Sequence, residues 1–120
     1  MTSTPVVILQ TAAVVHDALR DCFSDAGLVE GTDYILTDDP EETDEAIVAG
    51  DGQQLLVTGT FNGEEESAIR FVLAAKKRQP ALRTIGFSVF KMAGLDEFID
   101  KMTSRSMFRL VERVQRFLGR

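Results

Sequence analysis

Short apolar runs alternate with longer segments of helical periodicity, and this alternation constrains the fold more than any other feature of the chain. The first run, at residues 5–9, is apolar and rich in β-branched side chains, which is typical of a strand buried on both faces. Further strands are predicted at residues 34–37, 55–58 and 84–88, and helices at 13–26, 39–50, 64–78 and 104–118. Strands that alternate with helices predict an α/β domain, a doubly wound parallel sheet with helices on both faces.

Two of the predicted helices carry clear boundary signals. Asp39 is placed to cap a helix that begins at Pro40, and Glu42 is placed to complete a capping box. Pro80 ends the third helix, after three basic residues that suit its negative end.

Helical spacing also predicts which side chains face the core. In the first helix these are Val15, Leu19, Cys22 and Ala26, with Val14 beside them and His16 on the solvent side. In the third helix they are Ile69, Val72, Leu73 and Ala75. In the last helix they are Met107, Leu110, Val111, Val114, Phe117 and Leu118.

The segment from residue 89 to residue 103 has two interpretations. Residues 97–101 are compatible with a fifth strand, but Leu95, Phe98, Ile99 and Met102 also follow helical spacing. Only nine residues separate Ser88 from Phe98, whereas a parallel crossover normally takes a dozen or more. Either the crossover is reduced to about one turn, or this segment is not a strand.

Length and composition indicate one domain. The chain has 120 residues, 44% of them hydrophobic, so residues 1–120 are interpreted as a single domain with its own core. Cys22 is the only cysteine, which excludes an intrachain disulfide and favours a cytoplasmic location. No apolar run approaches the ~20 residues of a membrane helix, and the N-terminus lacks the positive charge of a signal peptide. We therefore expect no membrane association.

Charge is distributed unevenly along the chain. Residues 1–66 carry 15 acidic side chains and one basic side chain, a net charge of −14. Residues 67–120 carry four acidic and 12 basic side chains, a net charge of +8. Either the two halves neutralise each other within one fold, or the asymmetry marks a surface that binds a partner.

The ends of the predicted strands resemble those of the receiver (CheY-like) domain of two-component response regulators. Residues 6–11, 55–59 and 85–88 resemble the receiver strands that end on an acidic pair, on the phosphorylated aspartate and on a Thr or Ser. Residues 93–101 resemble the segment that ends on the family's lysine, here Lys101, and form the most specific part of the match. The resemblance implies a flavodoxin/CheY-like, five-stranded parallel sheet whose fifth strand lies at residues 97–101, with a shortened crossover between strands 4 and 5.

The acids on which receiver chemistry depends are absent from these positions. Gln10 and Thr11 stand where receivers carry the acidic pair, and Thr58 or Gly59 stands where they carry the phosphorylated aspartate. A Mg²⁺ ion requires anionic oxygen ligands, and aspartyl phosphorylation requires a carboxylate. We therefore predict neither a metal site nor an aspartyl phosphate. The resemblance instead implies a degenerate phospho-pocket that comprises Gln10, Thr11, Thr58, Gly59, Ser88 and Lys101.

Three residues of this region need an assigned role: Ser88, Lys101 and Phe98. In receivers the positions of Ser88 and Lys101 bind the phosphoryl group, so the Lys101 ammonium needs another partner here: Thr58, Gln10, a bound anion or solvent. Phe98 falls on the position of the family's switch aromatic, but it has no hydroxyl, and plain core packing is the simpler interpretation.

The shortened segment 89–93 changes the surface that receivers use for partners. A full helix occupies this segment in receivers, so Phe90 and Met92 are expected either to cover the sheet surface left exposed or to form a dimer patch. The predicted interaction surface comprises Phe90, Met92, Phe98, Arg105, Arg109 and Arg113.

Two alternative functions belong to other classes. Residues 56–64 resemble the second flavin-contacting loop of flavodoxin-like FMN-binding domains, but residues 10–13 offer no glycine and one hydroxyl for a phosphate loop. The last helix carries a basic stripe that suits nucleic-acid phosphates, although we expect no aromatic side chain on that face: Arg105, Arg109, Arg113, Arg116 and Arg120.

The sequence as a whole predicts a signalling function without catalysis. His16 and Cys22 form no defensible catalytic pair, so we expect no enzyme activity and no cofactor. We expect a non-phosphorylatable receiver-like module that acts through protein–protein interaction with another signalling protein or domain, or with a second copy of itself as a homodimer, and not with nucleic acid.

Overall fold

Five strands and four helices alternate along the chain in a computed structural model that describes residues 4–47, 53–60, 65–89 and 91–120. The strands are β1 (Val6–Leu9), β2 (Tyr34–Thr37), β3 (Leu55–Thr58), β4 (Arg83–Ser88) and β5 (Glu97–Asp100). The helices are α1 (Ala13–Asp25), α2 (Pro40–Ala46), α3 (Glu65–Arg78) and α4 (Ser106–Phe117). The predicted end of the second helix at residue 50 and the predicted start of the third at residue 64 lie outside the described residues.

All strand pairs are parallel, and the sheet has the order β2-β1-β3-β4-β5. Leu9 of β1 pairs with Thr37 of β2 on one side and with Thr58 of β3 on the other. The carboxyl ends of β1, β2 and β3 are therefore level in the sheet. This confirms the predicted α/β fold with a five-stranded parallel sheet. Strands β2 and β5 form the two edges.

Each face of the sheet packs against its own pair of helices. Val6 and Ile8 face the core beneath α1 and α4, whereas Val7 faces the core beneath α2 and α3. The central strands are buried on both faces, as their continuous apolar sequence predicts. The arrangement is doubly wound.

Most of the predicted inward-facing residues are buried or partly buried, with two clear exceptions. Leu73 is 54% exposed and Val14 is 79% exposed, so both predictions are wrong. In α3 Val72 and Ala75 are buried as predicted, and Ala68, which was not predicted, is buried with them. In α1 the large buried aromatic is Phe23, which the predicted stripe omitted.

The cap of α2 differs in detail from the predicted capping box. Asp39 Oδ1 accepts the backbone N–H of Glu41, as expected of an N-cap residue. The backbone N–H of Asp39 donates to Thr37 Oγ1 and not to Glu42. The Thr37 hydroxyl in turn lies 3.2 Å from Glu42 Oε2. Thr37 therefore bridges the Asp39 N–H and the Glu42 carboxylate, which bond each other directly in a capping box.

The connection between β4 and β5 is short, and the interpretation of residues 97–101 as a strand is confirmed. β5 pairs with β4 from Ile85–Glu97 to Ser88–Asp100, and residues 89 and 91–96 contain no helix. The Asp96 carboxylate accepts the backbone N–H and the hydroxyl of Thr84, and the Asp96 backbone N–H donates to Thr84 Oγ1. These three bonds hold the end of the connection against β4.

Gly86 is where the connection covers the sheet. A Cβ atom added at Gly86 would lie 2.7 Å from Leu95 Cδ1 and 3.0 Å from Phe98 Cδ1. Leu95 and Phe98 therefore pack directly on the β4 backbone, over sheet surface that a longer crossover helix would cover. The core-packing interpretation of Phe98 agrees with this contact.

Gly86→Ala is expected to destabilise the protein by about 1–3 kcal/mol, because the added methyl group displaces Leu95 and Phe98. Urea unfolding followed by circular dichroism measures the change. The double variant Gly86→Ala/Leu95→Ala is the control, since the shorter side chain makes room for the methyl group. A double variant no more stable than expected from the sum of the two single changes would argue against this contact.

Candidate functional site

Three polar residues stand at the carboxyl end of the sheet, where parallel α/β folds place their sites. Thr58 and Ser88 are the last residues of β3 and β4, and Gln10 directly follows β1. Their exposed fractions are 0%, 3% and 1%, so a ligand in bulk solvent does not reach these side chains without rearrangement. Gly59, which follows Thr58, is buried as well, so four of the six residues predicted for the pocket are buried at the strand ends.

Gln10 fills the space between the strand ends. Its Nε2 donates to the backbone carbonyl of Phe87 at 3.1 Å, which links β1 to β4 across β3. A Cβ atom added at Gly59 would lie 3.2 Å from both polar atoms of the Gln10 amide and 3.1 Å from the Phe87 oxygen. Gly59 therefore leaves room for the amide, which is a reason for glycine here that the sequence alone does not reveal.

His16 contacts the backbone of Gln10. One ring nitrogen, Nε2, lies 2.7 Å from the Gln10 carbonyl oxygen, and the side chain is half-buried. The prediction that His16 faces solvent is therefore wrong, because the imidazole reaches back from the first turn of α1 to the end of β1. The contact anchors the Gln10 backbone while the amide bonds Phe87.

The Thr58 hydroxyl donates within its own loop. Its Oγ1 lies 3.0 Å from the carbonyl oxygen of Gly59, and it is fully buried. Thr11 is partly exposed and sits at the rim. An uncharged hydroxyl and an amide do not fit Mg²⁺, which selects anionic oxygens. Among the described residues no group of three His, Cys, Asp or Glu side chains is arranged to hold a metal ion.

Lys101 lies beside the pocket and not free in solvent. Its backbone N–H donates to the Ser88 carbonyl, and its Nζ lies 5.4 Å from the centroid of the Phe87 ring, a cation–π distance. Burial lowers the pKa of the Lys101 ammonium, and no salt bridge within the described residues compensates that burial. Of the partners considered from sequence, neither Thr58 nor Gln10 bonds it; the aromatic ring takes their place.

The predicted interaction surface is only partly exposed. Met92 is buried, so of its two predicted roles the structure favours cover for the sheet. Arg113 pairs with Glu97 at 3.6 Å, whereas Arg105 and Arg109 are exposed and form no salt bridge within the described residues. Phe90 lies outside the described residues.

The basic stripe of α4 is largely neutralised within the chain. Besides Arg113, Arg116 pairs with Glu112 and Arg120 pairs with Asp33. The charge of Arg120 holds the pKa of the Asp33 carboxyl below its ordinary value, mainly through their hydrogen bond. This leaves the N-terminal end of the helix as its positive part and weakens the case for nucleic-acid binding.

One exposed aromatic residue of α4 is not among the residues predicted from sequence. Phe108 is 66% exposed, and it lies three residues after Arg105 and one before Arg109, on the outer face of α4. The expectation that no aromatic is interleaved with the arginines is therefore wrong. Helical spacing alone contained the signal, since positions 105, 108 and 109 share one face.

Comparisons with known proteins give a consistent result for the fold. No family model matches the sequence, and no curated protein matches it. Among solved structures, 31 chains match. One is a CheY-like receiver domain protein from Methanospirillum hungatei JF-1, with a TM-score of 0.71 and 14% identity over 98% of this chain and 95% of that one. The fold is that of a receiver domain.

Other solved structures align over similar lengths. A response regulator from Thermotoga maritima has a TM-score of 0.66 and 16% identity, covering 98% of this chain and 99% of that one. A Burkholderia thailandensis protein named for pilus assembly has a TM-score of 0.63 and 12% identity, covering 98% and 99%. At these identities the likeness establishes the fold, and a role has to be argued from the residues of the site.

The described part of the receiver fold contains no helix long and apolar enough to cross a membrane. The flavin alternative depends on a loop at residues 61–64 that lies outside the described residues. At the end of β1, where a flavin phosphate would bind, the space is filled by the Gln10 amide, and this does not favour the flavin alternative.

Proposed function

We propose that this chain is a receiver-like signalling module that acts through protein–protein interaction in two-component or related regulatory signalling, without phosphorylation. The observation that carries the proposal is the buried amide of Gln10, bonded to the Phe87 carbonyl at the strand ends. An active receiver needs anionic oxygens and an open site at this place, because the metal must neutralise the phosphoryl oxygens. Here a neutral amide occupies it.

The remaining polar groups of the pocket support the same interpretation. Thr58 stands at the end of β3, where its hydroxyl is bonded to its own loop. Lys101 is placed over an aromatic ring, so its charge is stabilised without a phosphoryl group. A module of this kind has one stable state at its strand ends, and an input reaches it through a binding partner.

The decisive test is incubation with acetyl phosphate and Mg²⁺, followed by intact mass spectrometry. We expect no mass gain, while a phosphorylatable receiver in the same reaction gains one phosphoryl group. A second arm uses beryllium fluoride with Mg²⁺ and records amide chemical shifts. Shifts centred on Thr58 and Lys101, or a phosphoryl adduct, would overturn the proposal.

A variant of Gln10 tests whether its buried amide is the reason that we expect no response to Mg²⁺. Gln10→Asp restores one carboxylate but leaves Thr58 in place of the acceptor, so we expect it to gain metal-dependent shifts and still no phosphoryl adduct. Titration with Mg²⁺ alone provides the readout. Equal responses of the variant and the unchanged chain would contradict the role assigned to Gln10.

A further inference from the structure

The N-terminal end of α4 presents a surface that the pocket does not explain. Arg105, Phe108 and Arg109 share the outer face of the helix, and we call these three residues the α4 patch. Phe108 is 66% exposed, and Met102 in the preceding turn is 75% exposed. Large exposed apolar side chains beside arginines are typical of protein–protein interfaces.

The two arginines of the α4 patch have no acidic partner in the described part of their own chain. Arg113, Arg116 and Arg120, farther along the helix, are all paired with acids. A groove of about 640 Å³ runs between β5 and α4, and its wall carries Arg109 and Arg113 together with the acids Glu97, Asp100 and Glu112. The α4 patch itself is therefore positive at Arg105 and Arg109 and apolar at Phe108, on a chain of net charge −6.

A complementary surface exists on the same molecule. Asp38, Glu41 and Glu45 lie at the start and along one side of α2, are exposed, and form no salt bridge within the described residues. We call these three residues the α2 acids. Beside them, Ile35 of the edge strand β2 is only partly buried and supplies apolar surface. Opposite charge favours association of this surface with the α4 patch.

The two surfaces point away from each other. α2 packs beside β2 on one face of the sheet, whereas α4 packs on the other face and contacts β5 at the opposite edge. They cannot neutralise each other within one molecule. They also cannot both be satisfied in a closed two-fold dimer, because a two-fold interface requires both surfaces on the same side.

From this geometry we infer that the α4 patch binds the α2 acids of a second copy, so that the chains associate head to tail. Such a head-to-tail contact either closes into a ring or continues as a chain of copies, and in both forms it differs from the homodimer predicted from sequence. Because it depends on exposed charges, it weakens as salt rises above about 0.1 M, where the screening length is about 10 Å. It goes beyond the proposed signalling role and does not depend on the missing phosphorylation.

Sedimentation velocity of the full chain over a concentration series tests the inference. At low ionic strength we expect the average mass to rise with concentration, and at high ionic strength we expect the monomer alone. Arg105→Glu/Arg109→Glu and Glu41→Arg/Glu45→Arg should each remain monomeric. The matched control Arg70→Glu/Lys77→Glu changes the same charge on exposed α3 positions and should associate like the unchanged chain.

The most discriminating experiment mixes the two charge-reversed variants. Each then offers surfaces complementary to the other's, so association should return only on mixing. Failure of the mixture to associate, or a monomeric unchanged chain at every concentration in low salt, would overturn the inference and point to a different protein as the occupant of the patch. Neither outcome affects the acetyl phosphate result, so the two proposals fail separately.

Discussion

Asp96→Ala is expected to lower the free energy of unfolding by about 2–3 kcal/mol. The substitution removes the acceptor for the backbone N–H of Thr84, which is fully buried, and an unsatisfied buried donor costs about 1–3 kcal/mol. It also removes the Thr84 hydroxyl bond and the contact with Lys76 at 3.1 Å. Urea denaturation of the purified chain measures the change.

Two further variants separate these contributions. Asp96→Asn keeps an acceptor for Thr84 but loses the ionic partner of Lys76, and we expect about half of the loss. Glu66→Ala removes an exposed acid whose nearest basic atom lies 3.9 Å away, and we expect almost no change. If Asp96→Ala is as stable as Glu66→Ala, the bonds to Thr84 do not hold the connection.

The same carboxylate gives the stability a definite pH dependence. Burial alone would raise the pKa of Asp96, but the bonds from Lys76 and Thr84 hold it below its ordinary value. Its stabilising contribution is therefore complete above the ordinary pKa of an aspartate, about 3.9, and is lost as the pH falls through the lowered value. Asp96→Asn should flatten the unfolding free energy over that acidic range relative to the unchanged chain.

Gln10→Ala is expected to lower the free energy of unfolding by about 2–3 kcal/mol. The change leaves the Phe87 carbonyl without its amide donor and opens a cavity at the strand ends. Gln10→Met has a similar volume and no amide, so it isolates the hydrogen bond and should cost about half as much. The measurement is thermal and urea unfolding.

Gln53→Ala is the matched control for Gln10, because Gln53 is an exposed glutamine. It should leave the unfolding free energy unchanged. If Gln10→Ala lies within about 0.5 kcal/mol of this control, which is the usual range for surface changes, the amide does not hold the strand ends together.

The strands could be predicted because a parallel sheet imposes continuous apolar runs on the central strands. Residues 97–101 were ambiguous, since the apolar spacing of Leu95, Phe98 and Ile99 fits a helix as well. The resemblance to receivers resolved the ambiguity in favour of a strand. The physical reason lies in Asp96, whose bonds to Thr84 replace the missing crossover helix.

The sequence predicts which residues stand at the strand ends, but not how their side chains are arranged. The sequence identifies Gln10, Thr58 and Ser88 as strand ends, yet it does not reveal that the Gln10 amide crosses β3 to reach β4. It also assigned His16 to solvent, because helical spacing ignores a side chain that reaches back beyond its own helix. Such contacts depend on where neighbouring strands end relative to one another, and the apolar pattern of the sequence does not define this.

The short β4–β5 connection also affects how the chain reaches its fold. Eight residues join β4 to β5, whereas 45 residues separate β1 from its neighbour β3. Each doubling of a loop adds about 0.6 kcal/mol to the entropy cost of closing it, so the β4–β5 pair closes with an advantage of about 1.5 kcal/mol. The β4–β5 edge of this sheet is therefore the strand pair whose members are nearest in sequence. It can assemble before the central β1–β3 pair does.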